Sequence, residues 1–429
     1  MHSNTLSQPI GLKQALTLIK TGQYSAEAVV QDCLDRIEAR EPEVGAWQYR
    51  LDAADYLAEF NNNRAFYENS PLKGLPIGIK DIIDTANMPT EMGSPIHKGR
   101  QPVDDASCVA LLRQAGGIIL GKTVTTEFAY FKPGKTANPR DLTRTPGGSS
   151  SGSAAAVADG MVPVALGSQT AASVIRPAAY CGTVGYVGTR GEFSLRGIQP
   201  LGQSLDSLGL FSRQVEDIEL LRAILLRQPE PLACTDVIQP ERILLCRGDA
   251  AGDVEPEMAA AIERAASILN TQGVELVEPA ESDWLGELVQ LHGLIMAYEA
   301  ARNLALESNH PDLLSPALQD LITQGLATPR ADYLDALQSV ADIRSHLANT
   351  YQDVDAILAP AAPGVAPKGH ERTGAPHMSR PWQAMGLPVV TLPGLSDDNG
   401  LPLGIQLIGQ PHTDDRLLRI ARWLEPLLK

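Results

Sequence analysis

A run of small residues at 147–160 limits the possible folds of this chain more than any other segment. The run reads GGSSSGSAAAVADG, and 12 of its 14 residues are glycine, serine or alanine. A flexible Gly/Ser linker is usually flanked by polar residues, but this run lies between Thr145-Pro146 and the apolar segment Val162 to Leu166. We therefore expect the run to lie in a protein core, where glycine lets backbone amides approach another group closely.

Short apolar runs alternate with helical patterns in the segment before this run. Leu75 to Ile79 predicts a strand, Asp105 to Ala115 a helix and Ile118 to Leu120 a second strand. Residues 1–70 predict an outer layer of helices. This alternation is typical of an α/β protein, and we expect an α/β/α sandwich with a central mixed, twisted sheet.

The charge and the cysteines narrow the class of protein further. Asp and Glu number 51 against 35 Lys and Arg, for a net charge of −16, which argues against unspecific binding to nucleic acid. The five cysteines form no C-x-x-C pair, as is typical of a reducing cytoplasm. The N-terminus has no apolar signal-peptide core, and the weakly polar segment Gly152 to Ile175 is interrupted by Asp159 and Gln169. We expect a cytoplasmic protein without a membrane-spanning segment.

Three further features have ordinary structural interpretations. Residues 116–123, GGIILGKT, fit a phosphate-binding loop pattern, but Ile118 to Leu120 favour a buried strand instead. The eight histidines have no metal-binding spacing, which argues against a catalytic metal. Cys181 lies in an alanine-rich run without a neighbouring histidine and is expected to be a small core residue.

Three segments, taken in order, resemble the amidase signature family. They are Gly78-Ile79-Lys80-Asp81, Arg144 to Ser150, and Gly167 to Ser173 followed by Pro177-Ala178-Ala179 and Cys181-Gly182. The spacings also agree, since Ser173 follows Lys80 by 93 residues and Ser149 by 24. The resemblance implies the amidase signature fold in one domain, residues 1–429, with a signature core at about 74–210 and a helical layer at about 1–70.

The resemblance also implies a Ser-cisSer-Lys triad. Amide hydrolysis needs a nucleophile, a base and donors for the oxyanion of the tetrahedral intermediate. By resemblance, Ser173 is the nucleophile, Ser149 the bridging serine after a cis peptide bond, and Lys80 the base acting on Ser149. Because lysine has an ordinary pKa of about 10.4, Lys80 has to be desolvated to be neutral near pH 7.

The oxyanion hole implied by the resemblance is made of the backbone N–H groups of Thr170, Ala171, Ala172 and Ser173. The family usually has Gly-Gly where this chain has Ala171-Ala172. If either position required a positive φ, alanine would cost about 1 kcal/mol or more. The shape of this turn is therefore in question, although the amide donors are retained.

Arg176 bears on the substrate. It follows Ser173 by three residues, whereas most family members place an arginine two residues after the nucleophile. This variant resembles the malonamidase type, in which the arginine holds the substrate carboxylate, and guanidinium groups suit bidentate carboxylate binding. The alternative is a structural ion pair. Gly364 to Arg380, rich in Gly, Pro and His, predicts a loop near the site.

The function implied by the resemblance is that of an amidase, an amidohydrolase acting on linear carbon–nitrogen bonds. We expect hydrolysis of a small carboxamide through an acyl-enzyme on Ser173, and the substrate carries a carboxylate if Arg176 binds it. This reaction needs neither a metal nor an organic cofactor. Two alternatives stay open: the amidase subunit of a tRNA-dependent amidotransferase, which passes ammonia to a partner, and an inactive binding or scaffold protein on the same fold. The expected ligand is a small-molecule amide, with no direct contact to nucleic acid, and a homodimer is left open.

Overall fold

A mixed sheet of eleven strands forms the centre of the computed structural model, which describes residues 9–229, 236–279 and 283–429. The strands are β1 (Trp47–Arg50), β2 (Pro76–Lys80), β3 (Ile118–Thr123), β4 (Val164–Gln169), β5 (Val184–Val187), β6 (Ser207–Ser212), β7 (Arg242–Leu245), β8 (Glu275–Val277), β9 (Ala356–Pro360), β10 (Val389–Ser396) and β11 (Pro402–Ile408). Their order in the sheet is β1-β3-β2-β4-β6-β5-β10-β11-β9-β7-β8. β2 runs parallel to β3 and β4, whereas β4 and β6 are antiparallel.

Helices pack against this sheet. They are α1 (Leu12–Lys20), α2 (Ala26–Val44), α3 (Ala53–Asn62), α4 (Arg64–Asn69), α5 (Ser107–Gln114), α6 (Ser151–Ala158), α7 (Ile175–Cys181), α8 (Val215–Leu225), α9 (Pro256–Thr271), α10 (Asp283–Asn303), α11 (Pro316–Ala327), α12 (Arg330–Thr350), α13 (Arg380–Met385) and α14 (Asp414–Leu424). The predicted α/β class with a mixed central sheet and flanking helices is confirmed.

The N-terminal segment differs in one respect from the predicted helical layer. Its described part, from residue 9, contains α1 to α4, and α2 begins where the Ser25 hydroxyl accepts a hydrogen bond of 3.1 Å from the Ala28 amide. Between these helices, β1 pairs antiparallel with β3 at the edge of the sheet. Only Trp47 of β1 is buried, so the strand lacks the alternating pattern that predicts a strand from sequence.

The segment that resembles a phosphate-binding loop is part of the core. Ile118 to Thr123 form β3, and all six residues are buried. The Lys122 amine lies 3.2 Å from Asp81 Oδ1 and donates a hydrogen bond of 2.6 Å to the Thr90 hydroxyl. The prediction of a buried strand is confirmed, because the segment pairs with β1 and β2 in the sheet and does not form a loop around a phosphate.

The Gly/Ser/Ala run lies in the core, as predicted, where its second half forms α6. Residues Ser151 to Val157 of this helix are all buried. A Cβ atom on Gly152 would lie 2.2 Å from the Ala46 carbonyl oxygen and 2.3 Å from the Val124 amide nitrogen. Small side chains are therefore required here, because the helix touches the backbone of the segments beside it.

Among the described residues, no helix combines the length and the apolar character needed to cross a bilayer.

Candidate active site

The carboxyl ends of β2 and β4 bring together the residues of the candidate site. These strands are parallel neighbours, so their last residues reach the same edge of the sheet. Lys80, the last residue of β2, is completely buried. Its Nζ atom lies 2.6 Å from the Ser149 hydroxyl, 2.9 Å from the Ser168 hydroxyl and 3.3 Å from the Ser168 carbonyl oxygen. The sheet thus places the predicted base in direct contact with the predicted bridging serine.

Burial controls the charge of Lys80. Removal of the amine from water lowers the pKa of Lys80 well below its ordinary value, while the negative charge of Asp206 acts in the opposite direction. Desolvation is the larger of the two effects. The hydrogen-bond partners of the amine are neutral hydroxyl and carbonyl groups, which do not require a positive charge. These surroundings favour a neutral amine, which is the form that can accept a proton.

A tight turn presents Ser149 to Lys80. Gly147 has a left-handed φ of +81°, and the peptide bond between Gly148 and Ser149 is cis, as predicted. A Cβ atom on Gly148 would lie 2.8 Å from Thr373 Cγ2. The next amide, that of Ser150, donates a hydrogen bond of 3.2 Å to the Ser173 carbonyl oxygen. This bond joins the turn of the bridging serine to the turn of the predicted nucleophile.

The turn from Thr170 to Ser173 is held by side chains from three directions. Gln169 Oε1 accepts hydrogen bonds of 2.9 and 3.1 Å from the two amides that follow Ser173. The Thr170 hydroxyl donates to Asp206 Oδ1 over 2.6 Å. His292 Nε2 lies 2.8 Å from the Thr170 carbonyl oxygen, which can only accept, so His292 carries its proton on Nε2.

His292 is neutral because of its burial. Loss of hydration, with the charge of Arg380 nearby, lowers the pKa of His292 to about 3. The Nδ1 atom has no partner within the described part of the chain. The sequence does not point to His292, since 122 positions separate it from Thr170 and no local pattern marks it. Only the position of α10 beside the turn reveals the contact.

The backbone N–H groups of the four residues predicted to form the oxyanion hole are not used in backbone hydrogen bonds of the described chain. None of the amides of Thr170, Ala171, Ala172 and Ser173 donates a backbone hydrogen bond within residues 9–229, 236–279 and 283–429. Neither alanine is among the described residues with positive φ. The alanines in place of glycines therefore cause no backbone strain of the left-handed kind, and their N–H groups stay available to a ligand.

A pocket opens above these two turns. It has about 350 Å³ of empty space, including its mouth. Its lining residues are Thr126, Ala129, Tyr130, Phe131, Ser149, Thr170, Ala171, Ala172, Ser173, Arg176, Leu201, Met296, Thr373, Pro376 and Arg380. None of these described residues is Asp or Glu. The predicted loop from Gly364 to Arg380 contributes to the lining, as expected from its composition.

The two predicted catalytic hydroxyls share this pocket. Ser149 is 3% exposed and Ser173 is 7% exposed, so both are nearly shielded from solvent. In the described ranges there is a contact between Lys80 and Ser149 but no hydrogen bond between the hydroxyls of Ser149 and Ser173. The first link of the predicted relay is therefore formed in this conformation, and the second is not.

Arg176 lines the pocket, but its terminal nitrogens already have protein partners. One donates to the Gly374 carbonyl oxygen over 2.8 Å, and the other donates to the Gly148 carbonyl oxygen over 2.7 Å and to the Thr373 hydroxyl over 3.1 Å. No carboxylate among the described residues pairs with Arg176. Its contacts are hydrogen bonds to neutral groups, and they do not form the structural ion pair of the alternative. These hydrogen bonds of Arg176 connect the turn before Ser149 with the loop at 373–374.

Cys181 lies in the core. It is fully buried, and burial raises the pKa of its thiol to about 12. Its sulfur lies 3.5 Å from the Pro146 carbonyl oxygen. The prediction of a small core residue is confirmed, because such a thiol is not a thiolate near neutral pH.

Comparison with known proteins places the chain in a family. The family model "Amidase" matches residues 28–418. The chain is 34% identical to one subunit of the glutamyl-tRNA(Gln) amidotransferase of Roseiflexus castenholzii, over 95% of this chain and 94% of that protein. Among solved structures, it is similar to an amidase with a TM-score of 0.87 and 29% identity, covering 98% of this chain and 100% of the other. It is also similar to the corresponding glutamyl-tRNA(Gln) amidotransferase subunit from Thermotoga maritima, with a TM-score of 0.81 and 28% identity over 96% and 93% of the two chains.

Fold and family match together define an enzyme that cleaves amide carbon–nitrogen bonds. The chain belongs to the amidase signature family and has the amidase signature fold. This result favours an enzyme over the inactive scaffold that the sequence left open.

Proposed function

We propose that this enzyme hydrolyses a small carboxamide through an acyl-enzyme on Ser173. The observation that carries the proposal is the contact of 2.6 Å between the buried Lys80 amine and the Ser149 hydroxyl, in a pocket that also contains Ser173. A desolvated amine is a base near neutral pH, and a hydroxyl between base and nucleophile can relay the proton.

The proposed reaction has two halves. Lys80 accepts the Ser149 proton, Ser149 takes the proton of Ser173, and Ser173 Oγ bonds to the amide carbon. The amides of residues 170–173 donate to the resulting oxyanion, and removal of one such donor typically slows a reaction by about 10²- to 10³-fold. The proton returns through Ser149 to the leaving nitrogen, the carbon–nitrogen bond breaks, and ammonia or an amine leaves. Water then cleaves the ester by the same relay and gives a carboxylic acid and free Ser173.

The second link of the relay is part of this proposal. Ser149 and Ser173 each carry a hydroxyl that rotates about one bond, and both line the same pocket. In the working complex the Ser149 oxygen has to accept the proton of Ser173. The bond of 3.2 Å from the Ser150 amide to the Ser173 carbonyl oxygen supports this, since it keeps the two turns together.

The pocket supports a small substrate that carries a carboxylate. Its empty space of about 350 Å³ includes the open mouth, so the enclosed part has room only for a small molecule. Two arginines line it, with no acidic residue in the described lining. An anionic group beside the amide would therefore meet a positive site in a protein whose net charge is −16.

A second candidate function is that of an amidotransferase component. It is favoured by the curated relatives, which are subunits of glutamyl-tRNA(Gln) amidotransferases and align over nearly the whole chain. Glutamine is itself a small carboxamide with a carboxylate, so both candidates share the chemistry at Ser173. They differ in the fate of the ammonia, which a partner protein would receive. That partner would make the tRNA contacts, because this chain is acidic.

The cytoplasm is the compartment that we propose. Cys33, Cys108, Cys181 and Cys246 are buried free thiols, which suits a reducing compartment. Cys234 lies outside the described residues. A homodimer stays a prediction.

Ammonia release from a panel of amides tests the proposal. The panel contains glutamine, the monoamides of short dicarboxylic acids and neutral amides of the same length. We expect the purified chain to release ammonia from at least one acid amide, Ser173→Ala to abolish the release, and Ser151→Ala, a matched change outside the pocket, to retain it. Release from glutamine only after addition of a partner protein would favour the second candidate. Turnover by Ser173→Ala at the wild-type rate would overturn both.

A further inference from the structure

Arg380 is a second arginine of the pocket, and it has no partner among the described residues. It ends the loop from Gly364 and begins α13. No hydrogen bond or ion pair of its guanidinium group is found within residues 9–229, 236–279 and 283–429, and its Nε atom is buried without an acceptor. The Nε atom of Arg176 is likewise buried without an acceptor, but its terminal nitrogens differ from those of Arg380, because they have three protein partners. An unpaired guanidinium in such a place is ready to bind a ligand.

Arg380 lies where the catalytic pocket opens into a wider groove. The groove is bordered by α10, α11 and the start of α12 and has about 1290 Å³ of empty space, including its open side. Tyr130, Met296 and Arg380 line both the groove and the pocket. A small molecule that enters by the groove therefore meets Arg380 before it reaches Ser173.

The charges of the pocket are unbalanced without a ligand. Burial, with the positive charge of Arg380 nearby, lowers the pKa of Arg176 to about 10, so the two guanidinium groups are close enough to repel each other. Burial also lowers the pKa of Arg380 itself. A partly buried, unpaired charge is costly, and a bound anion offsets that cost. Carboxylates are among the small anions that the planar donors of arginine bind in bidentate fashion, and a carboxylate can stand beside an amide in a small substrate.

We propose that Arg380 anchors the carboxylate of the substrate and so selects short monoamides of dicarboxylic acids over neutral amides. The inference rests on the proposed function and names its substrate class. Arg176 then has another part: it holds the Gly148 carbonyl oxygen and the loop at 373–374 in place. The carboxylate specificity expected of Arg176 from the sequence thus moves to an arginine that lies outside the family motifs.

The test compares one acid amide with its neutral counterpart. Succinamic acid and succinamide differ only in the group at the far end, a carboxylate in the first and an amide in the second. We expect Arg380→Met to lower kcat/KM for succinamic acid by about 10- to 100-fold, mainly through KM, because one charge-assisted contact is lost. The same variant should change kcat/KM for succinamide by less than about threefold, and Arg380→Lys should restore part of the loss, since it keeps the charge.

Two controls make the result specific. Arg372→Met changes an exposed arginine of the same loop that does not line the pocket, and it should affect neither substrate. Arg176→Met should impair both substrates to the same degree, because it loosens the Ser149 turn. An acid-selective loss in Arg176→Met, or equal losses on both substrates in Arg380→Met, would overturn the inference.

Labelling of Ser173 separates this inference from the proposed function. A fluorophosphonate probe reports the nucleophile without needing a carboxylate. If wild-type Ser173 does not react with the probe, the proposed function fails. If Arg380→Met reacts at the wild-type rate but retains full preference for succinamic acid, only the role of Arg380 is wrong.

Discussion

Replacement of Lys80 by methionine separates the chemistry of the buried amine from its packing. Methionine has nearly the length of lysine but cannot accept a proton. Because general-base catalysis typically contributes about 10²- to 10⁴-fold, we expect kcat to fall by at least that factor. Higher pH should not restore the rate, since the Lys80 amine is the group that contacts the Ser149 hydroxyl among the described residues.

The same substitution has a predictable effect on stability. The pKa of Lys80 is lowered in the folded chain, whereas in the unfolded chain it is about 10.4. At a pH between the folded and the unfolded pKa of Lys80, the amine binds a proton in the unfolded chain but not in the folded chain. The stability of the wild type therefore falls as the pH decreases, by about 1.4 kcal/mol for each pH unit from this one proton. Methionine has no such proton.

Urea denaturation followed by tryptophan fluorescence measures this difference. Lys80→Met leaves the hydroxyls of Ser149 and Ser168 with one partner fewer, at a cost of about 1 to 3 kcal/mol each that does not depend on pH. From about pH 9 to about pH 8, the unfolding free energy of the variant should gain about 1.4 kcal/mol relative to the wild type, and the gain should continue down to the folded pKa of Lys80. All other titrating groups are common to both proteins and cancel. Parallel stability curves for the two proteins would refute the neutral amine.

Three further substitutions test other parts of the site. Ser149→Ala should lower kcat by at least about 10²-fold. The unfolding free energy should fall by about 1 to 3 kcal/mol, because the buried Lys80 amine loses one of its hydroxyl partners. Stopped-assay kinetics and urea denaturation measure the two effects, and a near-normal rate would exclude the relay. His292→Phe removes the donor to the Thr170 carbonyl oxygen and should lower kcat by about 10- to 100-fold with KM nearly unchanged. His292→Gln keeps a donor and should recover part of the rate. Equal kinetics in the two variants would argue against a positioning role for His292. Cys181→Ala should keep activity within about twofold, while the unfolding free energy falls by about 1 kcal/mol. Loss of activity in a stable variant would contradict the assignment of Cys181 as a core residue.

Local patterns in the sequence predict much of the fold. β2 and β3 are runs of apolar residues bounded by turn residues, and the structure places them within about one to three residues of the predicted limits. The Gly/Ser/Ala run was expected in the core because its flanks are not polar, and the close contacts of Gly152 with backbone atoms explain its composition. β1 could not be predicted, since one buried residue in four gives no period.

The candidate site can likewise be predicted from the sequence only in part. The sequence predicts Lys80, Ser149 and Ser173 as site residues because each lies in a motif, and the structure brings all three to one place. Part of the support for the turn that carries Ser173 comes from a distant segment. Gln383 follows Gln169 by 214 positions, and no local pattern relates the two residues. In the structure the Gln383 Nε2 atom lies 3.2 Å from the Gln169 carbonyl oxygen. The sequence also cannot show whether an arginine near the site is free or already bonded, which is what distinguishes Arg380 from Arg176.

The proposed mechanism depends above all on a covalent bond between Ser173 and the acyl group of the substrate. Rapid quenching during turnover of an acid amide, followed by intact-protein mass spectrometry and peptide mapping, detects that bond directly. We predict an added mass equal to the acyl group, located on the peptide that contains Ser173 and missing from Ser173→Ala. Turnover with the acyl group on another residue, or with no covalent adduct under any quench condition, would contradict the mechanism.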